Sequence, residues 1–127
     1  MNENTRLLLN IKRLKNGLNP EIRILHKGEL FKNDGNTGGD QPAVGDTWKE
    51  YWQIFTQEDF PTTCPMCGLP MTEDEIDGCH IKFAGAVRGR WTVKKFIVPG
   101  HHACNMQLDD EFFSHITVKT VEAIKKK

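Results

Sequence analysis

Residues 64–67 read CPMC, and residues 97–105 read IVPGHHACN. Each stretch carries two side chains of the kind that binds transition metals, with two residues between them. A structural zinc ion takes four nitrogen or sulfur ligands in a tetrahedron, and two such pairs from distant turns commonly supply them. The two stretches therefore predict a structural Zn²⁺ site whose four ligands are Cys64, Cys67, His101 and Cys104.

The ligand set stays open at one position. His102 stands beside His101 and is the alternative nitrogen ligand, although only His101 repeats the two-residue gap of the cysteine pair. Cys79 would be a surplus thiol in a closed four-ligand site. A redox Cys-x-x-Cys protein is a further alternative, but the βαβ pattern that such motifs need does not surround Cys64 and Cys67.

The composition is that of one globular domain. The chain has 127 residues, of which 38% are hydrophobic and 27% charged, and its formal net charge is zero. Residues 46–78 carry one basic and eight acidic side chains, whereas residues 79–127 carry nine basic and four acidic ones. A net charge of zero excludes a protein that is basic over its whole surface. The uneven distribution of charge still permits one positively charged face that could bind a polyanion.

The sequence also bears on cellular location. No apolar segment approaches the roughly 20 residues that a membrane helix needs. The first residues, MNENTRLLLNIKRLKNG, lack the apolar core and the cleavage site of a secretory signal. A cytoplasmic chain keeps its thiols reduced, in agreement with cysteines that act as metal ligands. We therefore expect a cytoplasmic protein with no membrane partner.

The chain is predicted to divide near residue 45. Residues 1–45 form the predicted N-terminal extension, with one or two strands in residues 21–31 and a flexible Gly/Asn-rich linker at residues 32–40. Residues 46–127 form the predicted zinc-binding domain. Its first helix begins near Thr47, which fits a capping box, and it carries a stripe of aromatic residues.

The second half of the domain is predicted to be a hairpin followed by helices. The pattern predicts strands at residues 78–83 and 91–98, joined by a turn that contains glycine. A helix is predicted from residue 105 to 113, with Leu108 facing inward. A last helix is predicted at residues 117–127, where the apolar side chains with helical spacing are Val118, Val121 and Ile124.

Three strings carry a family resemblance. CPMC (64–67), GCHI (78–81) and IVPGHHACN (97–105) occur in this order. Together they resemble the zinc-knuckle branch of the HNH (His-Me finger) endonucleases over residues 64–113. The resemblance implies an α+β fold with a small zinc-stabilised ββα core of the treble-clef type, helical flanks and the N-terminal extension.

The resemblance also implies an active site. His80 matches the general base that deprotonates the attacking water, Asn105 matches a metal ligand at the helix start, and Cys79 stands where the family has another metal ligand. A second, catalytic divalent cation (Mg²⁺, Mn²⁺, Ni²⁺ or Zn²⁺) would offset charge on the scissile phosphate. Because a cysteine ligand disfavours Mg²⁺, Asp109 is a candidate oxygen ligand.

The implied function is metal-dependent endonuclease hydrolysis of DNA phosphodiester bonds, with DNA as the partner. The basic residues of the hairpin are candidate phosphate contacts, namely Arg88, Arg90, Lys94 and Lys95. The alternative is a catalytically inactive zinc-binding module for nucleic acid or for a protein partner. An Asn that the family places shortly before the His101 position is absent from KKFIVP (94–99), which favours the module.

Overall fold

The computed structural model describes residues 1–35, 39–107 and 109–127. They form three α-helices, one short 3₁₀ helix at Glu73–Glu75 and six strands. The helices are α1 (Glu3–Lys15), α2 (Trp48–Thr56) and α3 (His102–Asn105), and the strands are β1 (Ile22–Leu25), β2 (Leu30–Asn33), β3 (Ile76–Phe83), β4 (Phe96–His101), β5 (Glu111–Phe113) and β6 (Val118–Glu122). The prediction of an α+β fold is confirmed.

All six strands belong to one antiparallel sheet with the order β1-β6-β4-β3-β2-β5. The β3–β4 hairpin lies at its centre and pairs Ile76 with His101 at one end and Ile81 with Phe96 at the other. The short helix α3 follows β4 directly. The chain therefore runs strand, strand, helix here, but α3 has only four residues and ends at Asn105, where the predicted helix begins.

Helix α2 covers one face of the sheet and forms the core with it. The Thr47 hydroxyl accepts a hydrogen bond from the Glu50 backbone N–H at 3.2 Å, which confirms the predicted helix start. Tyr51 and Trp52 are fully buried, and each donates a hydrogen bond to a backbone carbonyl of β6. The aromatic stripe of α2 is thus core, because its polar atoms are satisfied by the sheet.

The two helices predicted after the hairpin are wrong. Residues 117–127 contain β6, which pairs with both β1 and β4, and the predicted helix at residues 105–113 is replaced by α3 and β5. The chain turns at Asp109, whose φ of +63° lies in the left-handed region and ends helical geometry. The predicted inward position of Leu108 lies outside the described residues.

Residues 1–45, predicted as an extension, contribute α1, β1 and β2. Helix α1 packs against α2, and the two strands pair with β6, β3 and β5. The sheet therefore takes strands from both sides of the predicted boundary at residue 45. Residues 36–38 of the predicted linker lie outside the described residues. In the described part of the chain, none of the helices has the length and apolar character that crossing a membrane requires.

Candidate metal centre

The first cysteine pair lies on a tight hairpin-like turn. The Cys64 backbone N–H donates to the Leu69 carbonyl at 2.9 Å, and the Gly68 N–H donates to the Cys64 carbonyl at 2.9 Å. Gly68 has a φ of +74°, and a Cβ at this position would lie 2.7 Å from Nδ1 of His115. Only glycine fits both conditions without strain. The predicted knuckle turn is therefore present at residues 64–69.

Three of the predicted zinc ligands come together. The Sγ atoms of Cys64, Cys67 and Cys104 all lie within 4.8 Å of one another, and all three are free thiols. Sulfur atoms around a tetrahedral zinc with Zn–S bonds of ~2.3 Å lie about 3.8 Å apart. The three thiols are thus within about 1 Å of that spacing, and this group of donors could hold a metal ion.

The electrostatics of this cysteine cluster favour a bound cation. Burial, followed by hydrogen bonding and the neighbouring Cys67 and Cys64, raises the pKa of Cys104 to about 12. Thiolates placed together repel one another, and a metal ion compensates this repulsion because it binds the deprotonated form. The donor set therefore fits a thiophilic metal such as zinc.

His101 lies beside the cluster, but its ring points elsewhere. Its backbone N–H donates a hydrogen bond to the Cys64 Sγ at 3.3 Å. Its Nε2 donates to the Glu75 Oε2 at 3.0 Å, and the ring is not part of the group of mutually close donor atoms. His102, the alternative ligand, directs Nδ1 to the Asp77 Oδ2 at 2.6 Å. The structure thus brings three of the four predicted ligands together.

Cys79 is buried close to the same cluster. A Cβ on Gly100 would lie 3.0 Å from the Cys79 Sγ and 4.0 Å from the Cys64 Sγ, so both sulfur atoms flank this glycine. Burial, together with the charges of Asp77 and Cys64, raises the pKa of the Cys79 thiol well above its usual range. Cys79 therefore lies on the cluster side of β3 as a protonated thiol.

His80, the predicted base, lies on the other side of β3 because successive strand residues face opposite ways. Its imidazole packs edge-on against Trp48, with 4.6 Å between ring centroids, and the residue is only 6% exposed. Burial is the main reason why the pKa of His80 falls from 6.5 to about 4. The imidazole is thus neutral at pH 7, but it is a weak base there.

Asn105, the predicted metal ligand, belongs to a different polar group. Its Nδ2 donates to the Asp77 Oδ2 at 3.0 Å, the same oxygen that contacts His102. Asn105 lines a cavity of about 380 Å³, whereas His80 lines another of about 220 Å³. Trp48 contributes to both cavities. The three predicted catalytic residues therefore do not converge on one pocket.

The predicted phosphate contacts fall into two pairs. Lys94 forms ion pairs with Glu21 at 3.1 Å and with Glu122 at 3.7 Å, and Lys95 pairs with Asp34 at 3.0 Å. Their charges are thus largely compensated within the protein. Arg88 and Arg90, on the turn between β3 and β4, are exposed, and within the described residues neither takes part in an ion pair.

Sequence reasoning missed the carboxylates that hold the two histidines. No role was predicted for the acidic residues at 73–77, yet Glu75 contacts His101 and Asp77 contacts His102. The role of Asp77 follows from the β3–β4 register, which places Asp77 opposite Gly100 and so next to the histidine pair. That register depends on a long-range pairing and cannot be read from the acidic segment alone. Asp109, the candidate oxygen ligand, accepts a hydrogen bond from the Gly35 N–H at 3.3 Å.

We compared the chain with protein-family models, with curated proteins and with solved structures, and none of the three comparisons gives a match. A function for this chain therefore has to be inferred from the geometry of its described residues.

Proposed function

We propose that the chain is a zinc-binding module in which a structural Zn²⁺ fixes the β3–β4–α3 element, a ββα core of the treble-clef type. The observation that carries this proposal is the spacing of the three cysteine Sγ atoms, all within 4.8 Å of one another. The cysteines come from two distant parts of the chain, the turn at residues 64–69 and the short helix α3. A metal bound there would cross-link these two parts through coordinate bonds.

His101 is the proposed fourth ligand. Its backbone N–H already bonds to the Cys64 Sγ, so its Cα is held beside the cluster. Rotation about its side-chain torsions would exchange the hydrogen bond to Glu75 for a bond to the metal. A Cys₃His site of this kind is closed to substrate, which is typical of structural zinc. Cys79 and His102 are the competing fourth ligands.

Metal content and cobalt substitution test this proposal. Protein purified without chelators is expected to hold one zinc per chain, and Co²⁺ in its place should give the thiolate charge-transfer and strong visible bands of a tetrahedral site. His101→Ala should weaken metal binding and change the visible bands, whereas Cys79→Ser and His102→Ala should leave the spectrum unchanged. A protein purified without metal would overturn the proposed site. A cobalt spectrum that changes only in Cys79→Ser would overturn His101 as the fourth ligand.

A second candidate function is hydrolysis of DNA phosphodiester bonds with a divalent cation. The observation in its favour is that the Asp77 carboxylate joins His102 and Asn105 next to an open cavity of about 380 Å³. Carboxylate, imidazole and amide groups together are ligands for Mn²⁺ or Ni²⁺. Asp77 would then supply the oxygen ligand that Cys79 cannot.

The electrostatics weigh against this second candidate. Asp40, Asp46 and Asp74 also line the cavity, and their charges repel a phosphate unless a cation is bound. His80, as the base, would need a water molecule to reach a side chain that is packed against Trp48. The zinc-binding module is therefore the better supported function.

Plasmid nicking separates the two candidates. If the chain is a nuclease, we expect nicking with Mg²⁺, Mn²⁺ or Ni²⁺ that is abolished in His80→Ala. The matched control is His26→Ala, which changes an exposed histidine and should retain nicking. Circular dichroism and zinc content must stay constant in both variants. Nicking that persists in His80→Ala but is lost in His102→Ala would show that the general base belongs to the group around Asp77 and not to His80. The absence of nicking with all of these ions would rule out the nuclease function.

A further inference from the structure

A groove lies along the β5 edge of the sheet. It lies between the β3–β4 turn at residues 84–91 and the edge strand β5, and its volume is about 750 Å³. The register of β2 with β5 places Leu30 opposite Phe113, and the next outward pair is Lys32 opposite Glu111. These side chains lie on the sheet face opposite to that of Phe31, a buried residue between Leu30 and Lys32.

The groove is lined by aromatic and apolar side chains. Phe113 is 68% exposed although it is a large aromatic residue. Trp91 lies across from it in the same groove, and Leu30 and Val87 complete the apolar lining. An exposed phenylalanine beside a half-buried tryptophan leaves ring faces accessible, and flat ring faces are the surfaces on which unpaired bases stack.

The rim of the groove is positively charged. Arg88 and Arg90 line it directly. Lys32 lies on the same sheet face, with Nζ 5.7 Å from the centre of the Trp91 ring, and the register places Lys82 beside Lys32. In the described part of the chain none of these four cations forms an ion pair. Glu111 is the carboxylate that lines this groove.

We propose that this groove binds single-stranded nucleic acid, with bases stacked on Phe113 and Trp91 and with phosphates held by Arg88 and Arg90. Uncompensated cations next to exposed rings match a polyanion whose bases are free to stack. A duplex would offer the cations the same phosphates, but its bases would not reach the rings. A protein partner could fill the apolar groove but would leave the excess positive charge without a matching charge.

This inference goes beyond the zinc-binding module and does not depend on it. The groove is formed by β2, β5 and the 84–91 turn, none of which contains a proposed zinc ligand. Zinc content measured on every sample therefore keeps the two proposals separate. A chain that binds single strands but no zinc would overturn only the proposed zinc-binding module. A chain that binds zinc but no single strands would overturn only the proposed nucleic-acid groove.

Fluorescence anisotropy with labelled 12-mers tests the proposal on the full chain. The probes are oligo(dT), oligo(U), a 12-base-pair DNA duplex and poly(Glu), each at low and moderate salt. We expect both single strands, or one of them, to bind with clear salt dependence and at least tenfold more tightly than the duplex and poly(Glu). The ratio of the dissociation constants of oligo(dT) and oligo(U) shows whether the sugar is recognised.

Variants separate stacking from charge. Phe113→Ala should weaken single-strand binding by about tenfold, because base–aromatic stacking contributes ~1–3 kcal/mol. Leu69→Ala, a truncation at an apolar side chain exposed to a similar degree outside the groove, should have no effect. Arg88→Gln and Arg90→Gln should each reduce the slope of log K against log salt by about 0.7 for a single strand. Lys94→Gln, which removes an ion-paired cation, should leave this slope unchanged.

Three results would overturn the proposal. The first is the absence of binding of either single strand to folded protein at low salt. The second is duplex binding as tight as single-strand binding. The third is an equal loss of affinity in Phe113→Ala and Leu69→Ala, which would show that the groove is not the binding site. In the first case, tight binding of poly(Glu) would identify an acidic protein as the ligand.

Discussion

The rings of Trp48 and His80 form a T-shaped contact, with 4.6 Å between the ring centroids and 79° between their planes. Trp48 is the first residue of α2, and His80 lies in the central strand β3. The contact therefore fixes the start of the helix on the sheet. It also keeps His80 out of water, so that the pKa of its imidazole falls to about 4, mainly through burial.

The burial of His80 predicts a pH-dependent stability. The unfolded chain takes up a proton near pH 6.5, whereas the folded chain does so near pH 4. The stability that the neutral His80 imidazole contributes is therefore complete above pH 6.5 and is lost as the pH decreases toward 4. Below pH 4 it does not change further. Between pH 7 and pH 5 the free energy of unfolding should decrease by about 2 kcal/mol from this group alone. Urea unfolding at the two pH values measures it.

The control for this prediction is His80→Phe, which keeps an aromatic ring against Trp48 and removes the titrating group. Both proteins are compared in the same metal-loaded form, so that protonation of the cysteines contributes equally. The decrease between pH 7 and pH 5 should be about 2 kcal/mol smaller in the variant. An identical decrease in both proteins would contradict the buried, neutral state of His80.

Removal of the metal is expected to destabilise the protein. Zinc that binds only the folded chain stabilises it by about 4 kcal/mol when free zinc exceeds the dissociation constant a thousandfold. A strong chelator should therefore lower the melting temperature, and added Zn²⁺ should restore it. Differential scanning calorimetry of the loaded, chelated and reloaded protein measures this change.

Matched cysteine variants locate the effect. Cys64→Ser should lose most of the zinc-dependent rise in melting temperature, because Cys64 belongs to the group of three mutually close thiols. Cys79→Ser replaces another fully buried thiol and should retain the rise even if the variant is less stable overall. A wild-type melting temperature that is insensitive to the chelator would eliminate the structural metal.

The features that the sequence predicted correctly are determined by local interactions. The turn at residues 64–69 depends on its own backbone hydrogen bonds and on Gly68, and the start of α2 depends on the Thr47 side chain three residues from its partner. Such short-range patterns are readable from the chain itself. They were sufficient to predict that Cys64, Cys67 and Cys104 converge.

The errors arose where distant residues decide the structure. Val118 and Val121 have helical spacing, but β1 and β4 pair with that segment and make it a strand. The buried side chain of Asn33 donates to the carbonyls of Asn105 and Gln107, and so holds the chain after α3 in a turn. Asn33 lies more than 70 residues earlier in the sequence, and no local pattern indicates this contact.

Gly78→Ala should strongly destabilise the protein. A Cβ on Gly78 would lie 2.5 Å from the backbone N of Lys49 and 2.5 Å from the backbone C of Trp48, because the start of α2 packs directly on β3. Backbone atoms cannot move away as a flexible side chain can, so the helix must shift. We expect a loss of about 3 kcal/mol in urea unfolding.

Gly89→Ala is the matched control for Gly78→Ala. A Cβ there would meet no atom within 4 Å, but Gly89 has a φ of +81°. Only the conformational strain of a left-handed alanine should appear, which is about 1 kcal/mol. A smaller loss for Gly78→Ala than for Gly89→Ala would contradict the close approach of α2 to β3.

Tyr51 is expected to ionise only at strongly alkaline pH. Its hydroxyl is buried, donates to the Glu122 carbonyl and accepts from the Ile124 N–H at 3.1 Å. Burial is the main reason why the pKa of Tyr51 rises from 10.0 to about 12. The stability that this group contributes is complete below pH 10 and is lost as the pH rises toward 12, because the unfolded chain gives up the proton first.

Tyr51 is the single tyrosine of the chain, so the absorbance of tyrosinate reports this residue alone. The titration midpoint should lie near pH 12 in the folded protein and near pH 10 in concentrated urea. Circular dichroism at each pH shows whether the chain is still folded. A midpoint near pH 10 in folded protein would mean that the hydroxyl reaches water, and the hydrogen bonds that join α2 to the end of β6 would then be absent.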